Sequence, residues 1–290
     1  MPEITAVTYM TDNLKIWLKD VSIEGVTFYA SANGKRIHLD RMSCPTGAPL
    51  QIIRRGKHSV VIFERGALIF CYNLSGKVVQ ITESEPEQMR LELQLSNGRK
   101  LGWVDRINLG EIHWLASDGD PIVAKVGSWF KTQKNLGPEF WPERRSWEWW
   151  KGRFGHKKRF LYQLLLDQSN IAGIGNIIAL ETLFRAKIAP QTRASDLDDS
   201  AWGRVQSSVY EVVEASSAQH RALRLKQQDK EGEQAFRGEL SLVAEGDVEA
   251  KGFLIYGRKG GKCPACTDGI IQKSKMAGRP IYWCPLCQKS

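Results

Sequence analysis

The 290-residue sequence lacks several features that would assign it to other protein classes. It has no run of about eighteen apolar residues, so we expect no membrane-spanning helix. Its first ten residues, MPEITAVTYM, lack the basic and apolar regions of a signal peptide. Internal repeats and low-complexity tracts are also missing. We therefore expect a globular chain in the cytoplasm, near the nucleoid if bacterial, or in the nucleus if eukaryotic.

Acidic residues are in short supply relative to basic ones. The chain has 41 Lys and Arg against 32 Asp and Glu, which gives a net charge of +9. This balance favours a polyanionic partner over a neutral small molecule. The hydrophobic content of 42% is enough for true cores, and the length suggests two domains plus a small module. We expect a monomer.

Cysteine is scarce and unevenly placed. Of the six cysteines, four form Cys263-x-x-Cys266 and Cys284-x-x-Cys287, separated by seventeen residues. Two such pairs supply the four sulfurs of a tetrahedral zinc site. Two disulfides or four unrelated thiols would explain the repeated spacing poorly. Cys44 and Cys71 are expected to be small buried apolar residues.

The surroundings of these four cysteines are basic. Residues 256–290 contain seven Lys or Arg and one acid, Asp268. A zinc-bound hairpin of this charge is suited to binding a phosphate backbone. A structural clip with a solvated basic surface is the alternative, and the charge alone does not exclude it.

The first half of the chain has the pattern of a β-rich domain. Residues 59–63, 67–72 and 91–95 are β-branched, apolar or alternating, and Asn97-Gly98 predicts a hairpin turn leading into residues 100–104. These signals predict an antiparallel β-sandwich or barrel. Before it, we expect an extended start and a helix near residues 12–20.

The second half has helical periodicity. Helices are predicted over residues 160–167, 177–186 and 197–213, the last with Ser195 and Asp198 as a capping pair. Residues 113–155 hold six of the ten tryptophans, which suggests a satellite core more than a base-stacking surface. The predicted α+β organisation is a β-sandwich catalytic domain (1–125), a tryptophan-rich linker (126–155), a helical domain (156–252) and a zinc-finger hairpin (253–290). A polar loop is expected over residues 226–252.

The N-terminal residues have a possible chemical role. Removal of Met1 would expose Pro2 as a secondary amine with a free lone pair near neutral pH. Such an amine can attack a sugar C1′ and form an iminium, and Glu3 could protonate the ring oxygen. By themselves, a proline and a glutamate at this position are usually just the start of a chain, and the catalytic interpretation needs support from the rest of the sequence.

A second motif, Ala172-Gly-Ile-Gly-Asn176, precedes a predicted helix. Its glycines permit close backbone approach, and a helix N-terminus attracts phosphate. The motif lacks the third glycine and the preceding strand of a dinucleotide-binding fingerprint, which disfavours that interpretation.

Taken together, these motifs resemble the formamidopyrimidine-DNA glycosylase/endonuclease VIII family over essentially the whole chain. The similarity is carried by five motifs in the same order, namely Met1-Pro-Glu3, Arg54-Arg-Gly-Lys57, Leu164-Leu-Leu-Asp-Gln168 with Ala172-Gly-Ile-Gly-Asn176, Tyr256-Gly-Arg-Lys-Gly260 and Arg279-Pro-Ile-Tyr-Trp-Cys-Pro-Leu-Cys287. The resemblance implies a β-sandwich domain, a helix-two-turns-helix domain and a zinc finger.

The resemblance also implies roles for individual residues. Pro2 corresponds to the Schiff-base nucleophile and Glu3 to the acid. Lys57, Asn176 and Arg279 correspond to phosphate contacts around a flipped nucleotide, which a base-extruding enzyme must hold on both sides. The four cysteines would bind one structural zinc ion and hold the finger that presents Arg279.

The sequence departs from the family pattern in two places. The second Pro-Glu pair of the typical start is replaced by Thr5 and Ala6. A family loop whose arginine and phenylalanine fill the gap left by the extruded base becomes Asp105-Arg-Ile-Asn-Leu-Gly110. Leu74, in Asn73-Leu-Ser75, resembles the apolar wedge of endonuclease VIII. It could equally be a hairpin core residue. These features lean toward endonuclease VIII.

We therefore expect a bifunctional DNA glycosylase/AP lyase of base excision repair, with damaged DNA as its partner. It would excise an oxidised or otherwise damaged base and nick the strand by β- or β,δ-elimination. The first alternative is a non-catalytic DNA-lesion binder that lost turnover through the Thr5 and Ala6 changes. A zinc-ribbon nucleic-acid adaptor is the second, but it leaves Pro2, Lys57 and Asn176 unexplained.

Overall fold

The computed structural model describes residues 2–29, 37–38, 45–81, 88–228 and 252–289, without the side chains of residues 37–38 and 223–228. The chain forms two compact units. The first contains the described residues up to Asn135 together with residues 217–228. The second contains Leu136–Ser216 and residues 252–289. The division at Asn135 lies within the segment predicted as a linker.

The described residues of the first unit include nine strands in two sheets. In chain order they are β1 (Ile23–Phe28), β2 (Ile37–His38), β3 (Gln51–Arg55), β4 (His58–Phe63), β5 (Gly66–Cys71), β6 (Lys77–Ile81), β7 (Met89–Leu95), β8 (Lys100–Val104) and β9 (Glu111–Ala116). One sheet has the order β1-β7-β8-β6 and the other β2-β9-β5-β4-β3. All neighbouring strands pair antiparallel except β2 and β9, which share a short parallel pairing. The predicted antiparallel architecture is confirmed.

The core of this unit lies where the two sheets face each other. Every residue of β5 is buried, as expected for a strand in the middle of its sheet. Phe70 of β5 stacks on Trp103 of β8, with ring centroids 5.6 Å apart. Tyr72 lies at the same distance from Trp103. Aromatic packing therefore joins the sheets where β5 ends.

The helix at the N-terminus corrects a prediction. The sequence predicted an extended start and a helix near residues 12–20, whereas α1 spans Ile4–Trp17. Its buried residues recur at helical spacing, at Ile4, Val7, Leu14 and Trp17. Three threonines and two β-branched aliphatic residues among its first eight residues obscured this periodicity, because such residues lower helix propensity. A second helix, α2 (Ile122–Thr132), follows β9.

The second unit is helical and ends in a hairpin. Its elements are α3 (Trp147–Phe154), α4 (Leu161–Leu166), α5 (Asn176–Arg185), α6 (Asp199–Gln228, which continues into the first unit), β10 (Gln272–Met276) and β11 (Arg279–Trp283). The predicted helices over 160–167 and 177–186 are confirmed as α4 and α5. The third is longer than predicted, since α6 continues to Gln228. The remainder of the predicted polar loop, residues 229–251, lies outside the described residues.

The start of α6 corrects the predicted capping pair. The Asp198 carboxylate accepts a hydrogen bond from the backbone N–H of Ala201 at 2.7 Å. The Ser195 hydroxyl instead donates to Asp196. A single aspartate thus caps α6. Ser195 takes no part in this cap, because it lies in a short 3₁₀ helix, Ala194–Asp196, that precedes α6.

The tryptophans of residues 113–155 do not form one satellite core. Trp114 lies on β9 and packs against Phe63 in the first unit. Trp150 lies on α3 in the second unit, where it is fully buried and stacks on Phe154. The six residues are therefore divided between the two units, and Trp150 alone of the six is buried. No helix among the described residues is both long and apolar enough to cross a bilayer.

Candidate active site, phosphate contacts and metal centre

The two residues assigned to catalysis lie directly before α1. Pro2 is half-buried and Glu3 is only 3% exposed. The backbone carbonyl of Glu3 accepts a hydrogen bond from the Val7 N–H at 2.9 Å, which fixes Glu3 at the first turn of the helix. A carboxyl group shielded from water next to Pro2, whose nitrogen would become an amine on removal of Met1, is an arrangement suited to acid–base chemistry.

The first turn of α1 also contains the departure from the family pattern. Thr5 and Ala6 are both 2% exposed, and this turn has no acidic residue. The position that resembles the family's second glutamate is thus filled by a buried methyl group. Glu3 is the carboxylate that this end of the helix supplies.

Lys57 lies in a tight turn of the first unit. The turn joins β3 to β4, and Gly56 adopts a positive φ of 57°. The Arg54 guanidinium donates to the Gly56 carbonyl at 3.0 Å. Gly56 and Lys57 form the two-residue turn of this hairpin, so Lys57 is presented where β3 ends and β4 begins. Its side chain is half-buried.

Asn176 and Arg279 belong to the second unit and are linked. Asn176 opens α5, and its side chain is buried. Its Oδ1 accepts a hydrogen bond from the Tyr162 hydroxyl at 2.6 Å, and its Nδ2 donates to the Pro280 carbonyl at 3.0 Å. Arg279, the neighbour of Pro280, is exposed at the start of β11. The structure brings these two predicted phosphate contacts together. Their convergence with Lys57 stays a prediction.

The loop before α5 is held by Gln168. Its side-chain oxygen accepts from the Gly173 N–H at 2.9 Å, and its amide nitrogen donates to the Ile174 carbonyl at 2.8 Å. Gly173 has a φ of 105°, which a residue with a side chain rarely adopts. The Leu-Asp-Gln and Gly-Ile-Gly-Asn motifs therefore act as one structural element that sets the position of Asn176.

Leu74 lies in the turn between β5 and β6 and is 46% exposed, so it is not a core residue. Its neighbours tie this turn to the loop of residues 105–110. Asn73 Nδ2 donates to the Leu109 carbonyl at 2.5 Å, and the Ser75 hydroxyl, which donates to Asp105, accepts from the Ile107 N–H at 3.1 Å. Ile107 is itself 48% exposed. Two exposed apolar side chains thus come from two connected loops.

The four C-terminal cysteines form a cluster around the β10–β11 hairpin. Their sulfurs all lie within 4.8 Å of one another. The Cys263–Cys287 and Cys266–Cys284 pairs are each separated by 3.7 Å between sulfurs. Four sulfurs about 2.3 Å from a tetrahedral ion would lie roughly 3.8 Å apart, so the cluster has the dimensions of a metal site.

The hairpin between the cysteine pairs presents Arg279. Ala277 and Gly278 both have positive φ, as the two central residues of a type I′ turn require, and Met276 pairs with Arg279 across it. Gly269 leaves room for the sulfur cluster, because a Cβ there would lie 2.5 Å from Cys284 Sγ. The finger is therefore shaped around its sulfurs.

Sequence reasoning missed the residues that attach the finger to the helices. The Glu181 carboxylate, buried on α5, accepts hydrogen bonds from the backbone N–H groups of Leu254, Ile255 and Tyr256 at 2.9–3.0 Å. Gln288 accepts from the Cys284 N–H and donates to the Ile188 carbonyl. One signal for Glu181 was available: it is the single charged residue in the stretch from Ile177 to Phe184, where all the others except Thr182 are apolar.

Cys71 is buried, as predicted, and Cys44 lies outside the described residues.

Comparison with known proteins agrees with this geometry. Two family models match: the formamidopyrimidine-DNA glycosylase N-terminal domain over residues 1–112 and its H2TH domain over residues 136–226. A formamidopyrimidine-DNA glycosylase from Gloeobacter violaceus is 29% identical over 298 aligned residues, covering 100% of this chain and 98% of the relative. The enzyme of that name from Geotalea daltonii is 32% identical, covering 81% of this chain and 80% of the relative.

Solved structures give the same fold. A structure of MutM in complex with DNA containing carbocyclic 8-oxo-G has a TM-score of 0.79 and 23% identity, with 100% of both chains covered. The Lactococcus lactis enzyme bound non-covalently to AP-site DNA has a TM-score of 0.78 and 22% identity, covering 99% of this chain and 100% of that one. Neither comparison tests the leaning toward endonuclease VIII, which stays a prediction. Because both units match a family model and the sequence similarity to named relatives spans them, the chain belongs to the formamidopyrimidine-DNA glycosylase family.

Proposed function

We propose that this chain, a DNA glycosylase of base excision repair, uses Pro2 as its nucleophile and Glu3 as its acid. AP lyase activity is expected for the family. The observation that carries the proposal is the position of Glu3, a buried carboxylate adjoining Pro2 at the start of α1. Removal of Met1 is a requirement, because in the Met1-Pro2 peptide the proline nitrogen is an amide without a nucleophilic lone pair.

The proposed reaction has two stages. The Pro2 nitrogen attacks C1′, the bond between C1′ and the damaged base breaks, and the base leaves with the proton that the nitrogen loses. Glu3 protonates the sugar ring oxygen as its bond to C1′ breaks, and the opened sugar is held as an iminium on Pro2. Loss of a C2′ proton expels the 3′ phosphate by β-elimination, and a second elimination would expel the 5′ phosphate. Water finally releases the sugar fragment from Pro2.

Phosphate contacts would hold the extruded nucleotide for this chemistry. We assign this role to Lys57, Asn176 and Arg279. The amide nitrogen of Asn176 carries two hydrogens, of which one is used on the Pro280 carbonyl. The other is the one we assign to phosphate, together with the N-terminal N–H groups of α5. A hydrogen bond that joins Asn176 to the β11 backbone would keep the Asn176 and Arg279 contacts in register.

The gap left by the base would be filled by Leu74. Its exposure on a turn braced by Asn73 and Ser75 supports this role, because a wedge must resist being pushed aside. Ile107, on the loop to which this turn is tied, would extend the apolar surface. Apolar wedges make no hydrogen bond to the unpaired opposite base. We therefore expect weak discrimination among opposite bases.

Zinc is the metal we assign to the four C-terminal sulfurs. Four thiolates at these separations suit zinc, and a module of this size needs the ion to fold. The ion would be structural, since all four positions are taken by protein ligands. Metal analysis should give one zinc per chain at this site, and Cys263→Ser should lose both the ion and DNA affinity. Full affinity in that variant would exclude this role.

A non-catalytic DNA-lesion binder is the second candidate, favoured by the loss of the second carboxylate at Ala6. Borohydride trapping of an abasic-site duplex separates the two. Mature protein that begins at Pro2, verified by mass spectrometry, should form a covalent adduct. Pro2→Gly should reduce trapping sharply, and Glu3→Gln should impair base release more than nicking of abasic DNA. Glu24→Gln, at an exposed glutamate of β1, is the matched control.

Each outcome of the trapping experiment leads to a different conclusion. Processed protein that binds abasic DNA without trapping or nicking it would replace the enzyme with the lesion binder. Trapping that persists in Pro2→Gly would move the nucleophile elsewhere. Protein that fails to bind damaged DNA at all would remove both candidates.

A further inference from the structure

A second group of metal-binding side chains lies in the first unit, away from the four C-terminal cysteines in sequence. Cys71 ends β5 and pairs directly with Glu111, the first residue of β9. His113 follows two residues later on β9 and so projects from the same face of the sheet. A sulfur, a carboxylate oxygen and an imidazole nitrogen of these residues all lie within 4.8 Å of one another.

The dimensions of this group suit a metal ion. Glu111 Oε2 and His113 Nε2 are 3.0 Å apart. Two ligands about 2.0–2.1 Å from a tetrahedral zinc ion would lie roughly 3.3 Å apart, so a shift of a few tenths of an ångström would suffice. All three residues are on strands, which fix their backbone positions. The site would not depend on a loop becoming ordered.

The surroundings are partly closed. Cys71 is 1% exposed, whereas the side chains of Glu111 and His113 are 25% and 16% exposed. Trp129 of α2 covers one side, with its ring centroid 5.0 Å from that of His113. A bound ion would therefore contact solvent on one side only. This is the arrangement of sites in which three protein ligands leave a fourth position for water.

Lys134 at present supplies the positive charge. Its Nζ lies 2.8 Å from the same Glu111 oxygen that contacts His113. Without metal, Glu111 and Lys134 form a neutral ion pair beside the buried Cys71. A divalent ion held by a thiolate and a carboxylate would also be a neutral group. Lys134 is half-buried on a flexible side chain, and it could turn away as the ion enters.

We propose that Cys71, Glu111 and His113 form a second metal site, for zinc or a similar borderline divalent ion, with Lys134 as its competitor. Sulfur and imidazole select such ions over magnesium or calcium, which prefer oxygen ligands. The site goes beyond the proposed repair activity and does not depend on it. On coordination, the Cys71 proton passes to solvent and no redox change occurs.

Cobalt(II) titration of the full-length chain tests the site. The C-terminal cysteines are first loaded with a single equivalent of zinc, which four thiolates bind more tightly than one thiolate, one carboxylate and one imidazole, so the added ion reports on the remaining ligands. One further equivalent of Co²⁺ should bind, with a thiolate-to-metal absorption band that is absent in Cys71→Ser. His113→Ala should weaken binding by more than about 10-fold, since even residues around a metal's ligands contribute that much. His156→Ala, at an exposed histidine, should change nothing.

Lys134→Met provides an independent test that does not remove a ligand. It should tighten Co²⁺ binding at least about fivefold, the factor that repulsion between unit charges 4 Å apart produces even in water. Unchanged or weaker binding in this variant would overturn the site. So would an absorption band that survives in Cys71→Ser, which would indicate adventitious metal only. Urea unfolding of each variant verifies that the first unit is folded during the titration.

Discussion

Glu181 is expected to be the residue on which attachment of the zinc finger to the helices most depends. It is 2% exposed on α5, and its two oxygens accept four hydrogen bonds. Oε1 accepts from the Ile255 and Tyr256 N–H groups, and Oε2 accepts from the Leu254 N–H and the Arg185 guanidinium. Glu181→Ala would leave three backbone donors and one cation without this acceptor.

The size of the effect follows from these contacts. A buried donor left unsatisfied costs about 1–3 kcal/mol, and removing one partner from a buried ion pair costs about 3–5 kcal/mol. Water entering the space would reduce the sum, so Glu181→Ala should lower the free energy of unfolding by about 3–5 kcal/mol. Glu181→Gln should lower it by about 2–3 kcal/mol, because its NH₂ group would replace one oxygen and face donors.

Urea unfolding of the zinc-loaded protein and zinc release to a chelator measure the two consequences. Both variants should unfold at lower urea and release zinc faster, since residues 254–256 lead directly into the first cysteine pair. Glu211→Ala, at an exposed glutamate of α6, is the control and should fall within about 0.5 kcal/mol of the unmodified chain. If Glu181→Ala matches that control, the finger is held by other contacts and this reasoning is refuted.

Three further changes probe other parts of the molecule. Gly269→Ala should speed zinc release to a chelator, because the new Cβ would lie 2.5 Å from Cys284 Sγ, whereas Gly203→Ala, with nothing within 4 Å, should not. Burial favours the neutral form of Glu92, but hydrogen bonds from three side chains outweigh it and lower its pKa below the ordinary value of 4.5. Its stabilising effect is therefore present above that pH and lost as pH falls further, so the stability difference from Glu92→Gln, measured by urea unfolding, should shrink in acid. Arg279→Ala should weaken binding to damaged and undamaged DNA alike and reduce the salt dependence of log affinity by about 1, and an unchanged slope would contradict a phosphate contact.

The parts of the fold that could be predicted are those determined by the residue pattern within a short segment. The strands of the sandwich alternate or are apolar over five to seven residues, and Asn97-Gly98 specifies its turn without help from elsewhere. Helix α1 could not be read in the same way. Its threonines and β-branched residues argue locally against a helix, and only burial of Ile4, Val7 and Leu14 against the rest of the unit decides the outcome.

The same distinction between local and distant contacts separates the site residues that could be predicted from those that could not. Residues with a fixed spacing, such as the cysteine pairs and Ala172-Gly-Ile-Gly-Asn176, are recognisable because the chemistry imposes that spacing. Glu181 and Gln288 are not recognisable in this way. The backbone N–H groups that donate to Glu181 lie 73 to 75 residues away, and the carbonyl to which Gln288 donates lies 100 residues away. The Cys71, Glu111 and His113 group is hidden for the same reason: only the pairing of β5 with β9 brings the three together.

The burial of Glu3 bears on the choice between an enzyme and a lesion binder. Shielding a carboxyl group from water is unfavourable, and a binder that needs only phosphate contacts and a finger gains nothing from it. A catalyst does gain, because an acid held beside the nucleophile and away from water can deliver its proton to a substrate atom. Ala6 shows that this end of the helix can accept a methyl group where the family pattern has a carboxylate. A binder would tolerate the same replacement at Glu3, so a buried glutamate beside Pro2 favours the glycosylase.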